Sequence, residues 1–223
     1  MEAVVHNLNS MHSRAGAQVP FSSLNFGTDT SYEGRLVIEQ LLLSTDEGLG
    51  NGETPIFPVS VYKMKKGVSA KPGDPNYDLF ELACKVSAKR LFPNFGNVSA
   101  SYNIPKWKGA NIDSPDDEYA TMGCRTRVFT NVRNNGINGS VGRGNLSFTS
   151  INLPRLGLLA GRGNIDKFFE LLDERMELVH RQLKERFEIQ CLRHPRNYPF
   201  LMGQGIWKGS EDLGPDDDIR DAL

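Results

Sequence analysis

Between residues 18 and 102 the chain alternates strand-forming and helix-forming stretches, and this alternation constrains its fold more than any other feature. Gln18 to Phe26 (QVPFSSLNF) is rich in strand formers and ends at Gly27, where a tight turn is easy. Thr30 and Glu33 have the spacing of a capping box, which opens a helix expected to run to about Glu47. Leu36, Val37, Leu41 and Leu42 form its apolar stripe. Gly48, Gly50 and Gly52 break it before a second strand near Ile56 to Tyr62. A polar loop then leads to a helix with Leu79, Leu82, Ala83 and Val86 on one face, capped by Asp74 or Asn76. A strand around Asn97 to Tyr102 follows. Strands separated by whole helices and buried on both faces imply an α/β protein with mostly parallel pairing.

The flanking sequence is read the same way. Val4, Val5, Leu8 and Met11 have helical spacing. Residues 103 to 118 collect Lys, Pro, Asn and Asp and are expected to form an exposed loop. From Tyr119 onward the pattern predicts a strand or tight loop around Cys124, a strand near Arg127 to Thr130, a Gly- and Asn-rich loop to Gly144, and a strand from Asn145 to Leu153. The longest helix is expected over 164–188, opened by Asn164 and striped with Phe168, Leu172, Met176, Val179, Leu183 and Phe187. Periodicity fades beyond Pro195, and Pro215 to Leu223 reads as the start of another helix. No repeat of fixed period is present, which argues against a solenoid.

Composition excludes several classes of function. The 223 residues carry 26 Lys and Arg against 27 Asp and Glu, a net charge of −1, so the basic footprint of a general nucleic-acid binder is missing. With 39% hydrophobic residues and 22 glycines the chain is neither disordered nor fibrous. The densest apolar runs, Leu36 to Leu43 and Leu156 to Ala160, are too short to span a bilayer, and the N-terminus has no signal-peptide pattern. A soluble, cytoplasmic protein with no membrane partner is the expectation.

Few residues are candidates for chemistry. Neither a GxxxxGK[ST] nor a GxGxxG signature occurs. Cys84, Cys124 and Cys191 are far apart and form no CxxC pair, so neither a disulfide framework nor a tetrahedral zinc site is encoded. His6, His12, His180 and His194 never fall in a ligand pair, and no metal site is expected from them. Asp216, Asp217 and Asp218 suit a helix N-terminus better than a cation. Cys84 and Cys191 read as packing residues.

Cys124 differs in context. In Met122-Gly123-Cys124-Arg125-Thr126 it lies between strand-like stretches, Gly123 allows a tight path, and Arg125 puts positive charge beside the sulfur. A sulfur at a loop tip can reach a substrate, although five residues alone fit a small buried hydrophobe as well. Asn145 follows Gly142-Arg143-Gly144, where an amide could donate and accept at once or simply follow a hairpin turn.

Six segments in order carry a family resemblance: Gln18 to Ser23 (QVPFSS), Asn51 to Pro58 (NGETPIFP), Asp74 to Asp78 (DPNYD), Ala88 to Arg90 (AKR), Met122 to Arg125 (MGCR) and Asn152 to Arg155 (NLPR). Together they resemble the anaerobic (class III) ribonucleoside-triphosphate reductases, which are glycyl-radical enzymes. The resemblance implies a ten-stranded α/β barrel with a finger loop through its middle and Cys124 at the loop tip. It implies a transient thiyl radical on Cys124 that takes hydrogen from the ribose 3′ carbon, so that the 2′ hydroxyl leaves as water. Asn145 lies 21 positions further on, where formate-using members carry an active-site Asn that hydrogen-bonds ribose hydroxyls or formate.

The resemblance also implies parts that this chain lacks. These are an N-terminal nucleotide-binding cone, the second active-site cysteine of the first strand, and a C-terminal segment with the glycyl radical and a structural zinc. Residues 1–223 are then an incomplete catalytic barrel domain, a central fragment expected to be inactive alone. Implied partners are a ribonucleoside triphosphate substrate, nucleotide effectors, a radical-SAM activating enzyme and a second subunit in a homodimer, with no nucleic acid. The alternatives are another glycyl-radical activity or a non-catalytic nucleotide-binding remnant. Pyruvate formate-lyase, with its two adjacent cysteines, is matched less well, because Cys124 is followed by Arg125.

Overall fold

The computed structural model describes residues 1–12, 17–106, 109–123, 126–128 and 139–223. The chain divides into two compact units, one of Met1–Asn131 with Asn138–Ser140 and one of Val132–Ile137 with Val141–Leu223.

The first unit begins with helix α1 (Glu2–Ser10), followed by strand β1 (Ser23–Phe26), helix α2 (Tyr32–Glu47), strand β2 (Val59–Met64), helix α3 (Tyr77–Arg90) and strand β3 (Asn94–Asn97). The three strands form a parallel sheet in the order β1-β2-β3, with Ser23 opposite Val59 and Val61 opposite Asn94. This is the α/β pattern with parallel pairing that the alternation predicts. The central strand β2 is buried at Val59, Ser60, Val61, Tyr62 and Lys63 in succession, as expected of a strand covered on both faces.

Tyr62, fully buried, forms the centre of the core with Ile38 and Leu42 of α2 and Leu79, Ala83 and Val86 of α3. Its ring meets Phe26 edge-on at 5.8 Å and lies 6.0 Å from both Phe80 and Phe95. Burial pushes the Tyr62 hydroxyl up to about 12. A further two-stranded antiparallel sheet, β4 (Ala120–Met122) and β5 (Thr126–Val128), completes the described part of this unit.

Several expectations are corrected here. The cap of α2 is Ser31, whose hydroxyl accepts from Gly34 N at 3.1 Å, and not a Thr30/Glu33 box. Asp29 accepts from Ser31 N and so fixes the turn one residue later. In α2 the buried apolar positions are Ile38, Leu41 and Leu42, whereas Leu36 and Val37 are 46% and 52% exposed. Neither proposed cap holds α3. Asn76 turns its side chain to donate to Gly27 O and Asp29 O, and Asp74 accepts from Ala70 N and Lys71 N. Strand β2 lies two to three residues later than expected, and β3 ends where the 97–102 strand was to begin, because Asn97 O accepts from Ala100 N in a turn. Cys84 is exposed, on the flank of α3 next to the buried Ala83, and is no packing residue. The 103–118 loop is not wholly exposed, since Asn103 and Glu118 are buried.

In the second unit, residues 145–152 form no strand, and Leu153–Ala160 is helix α4. Asn152 caps it by accepting from Arg155 N, and Pro154 sits in its first turn, where a missing N–H costs nothing. Helix α5 (Ile165–Cys191) begins where Asn164 predicts, with the Asn164 side chain accepting from Lys167 N. It ends on Cys191, which is buried as expected. Residues 215–223 form turns instead of a helix, because Asp217 and Asp218 accept from nearby backbone N–H groups at Gly214 and Arg220. None of the helices among the described residues is long and apolar enough to cross a membrane.

Candidate active site

Cys124 itself lies outside the described residues, with β4 before it and β5 after it in the chain. Strands β4 and β5 pair with Met122 opposite Thr126, so Gly123, Cys124 and Arg125 join the two strands of one hairpin. Gly123 has φ +61°, a conformation that disfavours any residue with a Cβ. An antiparallel hairpin thus stands in a unit otherwise built on a parallel sheet.

That hairpin is tied to each of the three parallel strands. On β1, the Asn25 side chain makes a two-way bond with the Thr121 backbone: Nδ2 donates to Thr121 O at 2.9 Å, and Oδ1 accepts from Thr121 N at 3.0 Å. Two residues earlier, Ser23 Oγ accepts from Gly123 N at 3.1 Å. On β2 and just beyond it, Lys63 and Lys65 reach Glu118, which precedes β4, with Nζ···Oε distances of 2.6 Å and 3.0 Å. Thr28 Oγ1 donates to the same carboxylate at 3.2 Å. On β3, the Tyr119 hydroxyl lies against Gly96 so closely that a Cβ there would be 2.0 Å from it. Glycine is required at this position by close approach alone.

The electrostatics of the base are set by burial and pairing. Glu118 is 3% exposed, and burial by itself would raise its carboxyl. The hydrogen bonds and positive charges of Lys63 and Lys65 outweigh that and hold it below the usual carboxylate range. Burial also raises the Tyr119 hydroxyl. On the far strand, Arg127 donates to Tyr102 O and to Asn103 Oδ1, at 3.1 Å and 2.8 Å, and stacks over the Tyr102 ring. Two clefts flank these contacts. One of about 650 Å³ has Thr28, Lys65, Lys66, Asp113 and Glu118 in its wall, at the carboxyl ends of β1 and β2. This is the general position of ligand sites in open α/β sheets. The other, of about 430 Å³, is walled by Phe95, Asn103, Tyr119, Thr121 and Arg127.

Asn145 belongs to the second unit and is exposed, in an extended stretch where the neighbouring Leu146 O accepts from Gln190 Nε2. Gly144 beside it faces the Trp207 ring, within 2.3 Å of where a Cβ would stand. Among the described residues no three His, Cys, Asp or Glu side chains come together as a metal would need. His194 Nδ1 lies 3.2 Å from Asp217 O, and Asp216 pairs with Arg196.

The residues that sequence reasoning missed are the hairpin's anchors: Ser23, Asn25, Lys63, Lys65 and Glu118. One signal was available, since Ser23 and Asn25 are polar at alternate positions of a strand and so point to one face. Other family segments are structural joints. Arg90 of AKR donates to Asp46 O at the end of α2 and to Gly52 O of NGETPIFP. In DPNYD, Asn76 and Asp78 both engage Arg35.

Comparison with known proteins accounts for this arrangement of segments. The family model described as anaerobic ribonucleoside-triphosphate reductase matches residues 1–223. The anaerobic ribonucleoside-triphosphate reductase of Escherichia coli is 33% identical over 223 residues, 100% of this chain and 29% of that protein. The Salmonella typhimurium protein of the same name is 34% identical over the same share of each chain. That of phage T4 is 33% identical over 224 residues, covering 98% of this chain and 35% of its own length. The chain thus spans about a third of the length of these relatives, and it belongs to the anaerobic ribonucleoside-triphosphate reductase family.

Proposed function

We propose that the protein containing this chain reduces ribonucleoside triphosphates to deoxyribonucleoside triphosphates, with the Cys124 sulfur carrying the radical. The observation that carries this reading is the family match along all 223 residues, with Cys124 in the connection of a hairpin anchored to all three parallel strands. The hairpin would be the finger loop of a ten-stranded barrel, of which β1, β2 and β3 are three strands.

The Cys124 thiyl takes a hydrogen atom from the ribose 3′ carbon, forming S–H and leaving the unpaired electron on carbon. The 2′ hydroxyl then leaves with a proton as water. With formate as reductant the balance is ribonucleotide plus formate plus one proton giving deoxyribonucleotide, carbon dioxide and water. Asn145 would hydrogen-bond ribose hydroxyls or formate, as a neutral amide can without changing the charge of the site. The radical chemistry needs a dry pocket, because solvent and oxygen quench a carbon radical.

The glycyl radical that oxidises the sulfur, the structural zinc, the nucleotide effector site, the radical-SAM activating enzyme and the second subunit belong to the full-length assembly in this reading. The test is Cys124→Ala in the full-length enzyme, activated anaerobically. The expected result is loss of deoxynucleotide formation while the glycyl radical signal still appears by electron paramagnetic resonance. Reduction at the wild-type rate would overturn the assignment.

A further inference from the structure

The anchoring of the hairpin to β1 has a regular geometry. Ser23 and Asn25, two residues apart, receive the backbone of Gly123 and Thr121, also two residues apart and in the opposite sense. Side chains at alternate positions of a strand share a face, so both reach toward the hairpin together. The Asn25 amide donates to and accepts from one residue, as a backbone partner does in a hydrogen-bonded antiparallel pair. Its Oδ1 also accepts from Thr121 Oγ1, at 3.1 Å. These two side chains thus form a short ladder in place of a fourth strand. Its last rung is Gly123 N, one residue before Cys124.

We infer that Ser23 and Asn25 are positioning residues for Cys124, fixing the register of its hairpin against β1. The inference rests on the reading of Cys124 as the radical carrier. A one-residue slip of a strand reverses which face each side chain meets, so register decides whether the sulfur faces the ribose. Glu118 fixes the base of the hairpin through Lys63 and Lys65, but that contact lies three residues or more from Thr121 and Gly123 and leaves the tip to the ladder. Hydrogen-atom transfer depends steeply on the donor–acceptor distance, so loss of the ladder acts on the chemical step. The positioning role predicts no change in nucleotide binding or radical generation.

The experiment uses the full-length enzyme, with Asn25→Ala, Ser23→Ala, Ser23→Thr and Cys124→Ala compared after anaerobic activation. Turnover of Asn25→Ala is expected to fall by about 10- to 100-fold, the scale of a misplacement near 1 Å. Its KM for nucleotide and its glycyl radical yield stay within about twofold of wild type, reference points a general folding defect would move. The kinetic isotope effect on turnover with 3′-deuterated substrate rises, because hydrogen transfer becomes slower than the steps around it. Ser23→Ala behaves in the same direction but more weakly, and Ser23→Thr, which keeps the accepting oxygen, restores turnover. Wild-type turnover and isotope effect in both alanine variants, with Cys124→Ala inactive, would overturn the positioning role and leave the function standing. A rise in KM or a loss of radical yield that accounts for the whole defect would overturn it too. Activity in Cys124→Ala would remove the function and the inference together. Should Asn25→Ala not fold, the Ser23 pair decides by the same readouts.

Discussion

The two units bury their helices to very different degrees. In the first, α2 and α3 pack side by side and share a core with β2, and Ile38, Leu42, Leu79, Ala83 and Val86 are all nearly inaccessible. In the second, the 27-residue α5 buries outright only Cys191. Its stripe of Phe168, Leu172, Val179, Leu183 and Phe187 is half-buried, and Met176 is 53% exposed. The longer and more regularly striped helix is therefore the less buried one. An amphipathic stripe records that a helix needs apolar contact, and says nothing of whether that contact lies in the same stretch of chain.

The largest effect expected from this contrast is at Glu118, the buried carboxylate of the first unit. Glu118→Ala takes from the buried Lys63 ammonium its carboxylate partner and leaves Lys65 with Ile112 O and the more distant Asp113, and is expected to cost the first unit about 3 kcal/mol. The second unit should be unchanged. Hydrogen exchange on the full-length protein, followed peptide by peptide, measures the two separately. The sign of the pH dependence follows from the same group. Its folded carboxyl is held below its unfolded value, so its contribution is present above the ordinary carboxylate range and is lost as pH falls through the folded value. The wild-type first unit should lose protection in that acid range, and Glu118→Ala should lose less there. Equal acid slopes in both proteins would show that the pairing contributes nothing.

A matched pair of leucines sharpens the comparison. Leu42→Ala, at a site 1% exposed, is expected to cost about 3 kcal/mol through lost transfer energy and the cavity left behind. Leu183→Ala, half-buried on α5, should cost about 1 kcal/mol, because less of the side chain leaves water on folding. Exchange protection in α2 and α5 of the two variants reads each cost where it falls. A Leu183 cost as large as that of Leu42 would mean that the stripe of α5 is fully covered in the intact protein.

These elements also show where sequence is readable. The extents of α2 and α5 follow from periodicity and stop signals within a few residues, and the buried face of α3 from periodicity alone, because each helix carries its own pattern. The 145–153 stretch fails for the opposite reason. Leu146, Phe148, Ile151 and Leu153 look like strand residues, but a strand needs a partner, and among the described residues this stretch has none. The cap of α2 fails because Asp29, Thr30 and Ser31 are all capable of capping, and contacts with Asn76 and Ser31 decide among them. In the candidate site, Cys124 and Asn145 are singled out in the sequence by family resemblance alone. The hairpin's anchors join residues 53 to 100 positions apart, which no local pattern encodes.

The smallest expected effect is at the helix starts, where the two units are most alike. Ser31 caps α2 and Asn164 caps α5, each by one side-chain oxygen on the backbone N–H three residues on. Removing either oxygen costs the same hydrogen bond, about 1 kcal/mol. The consequence differs because the surroundings differ. The first turn of α2 is also held by Asp29 accepting from Ser31 N and by Arg35 paired with Asp78, so Ser31→Ala should leave its protection almost intact. Asn164 is exposed, Ile165 next to it is 63% exposed, and the surface pair of Lys167 with Glu170 adds little. Asn164→Ala should therefore fray the first turn of α5, with amide exchange there about fivefold faster and the middle of the helix unaffected, as 1 kcal/mol implies. Equal fraying in both variants would mean that the cap alone, and not the packing around it, sets the stability of each helix start.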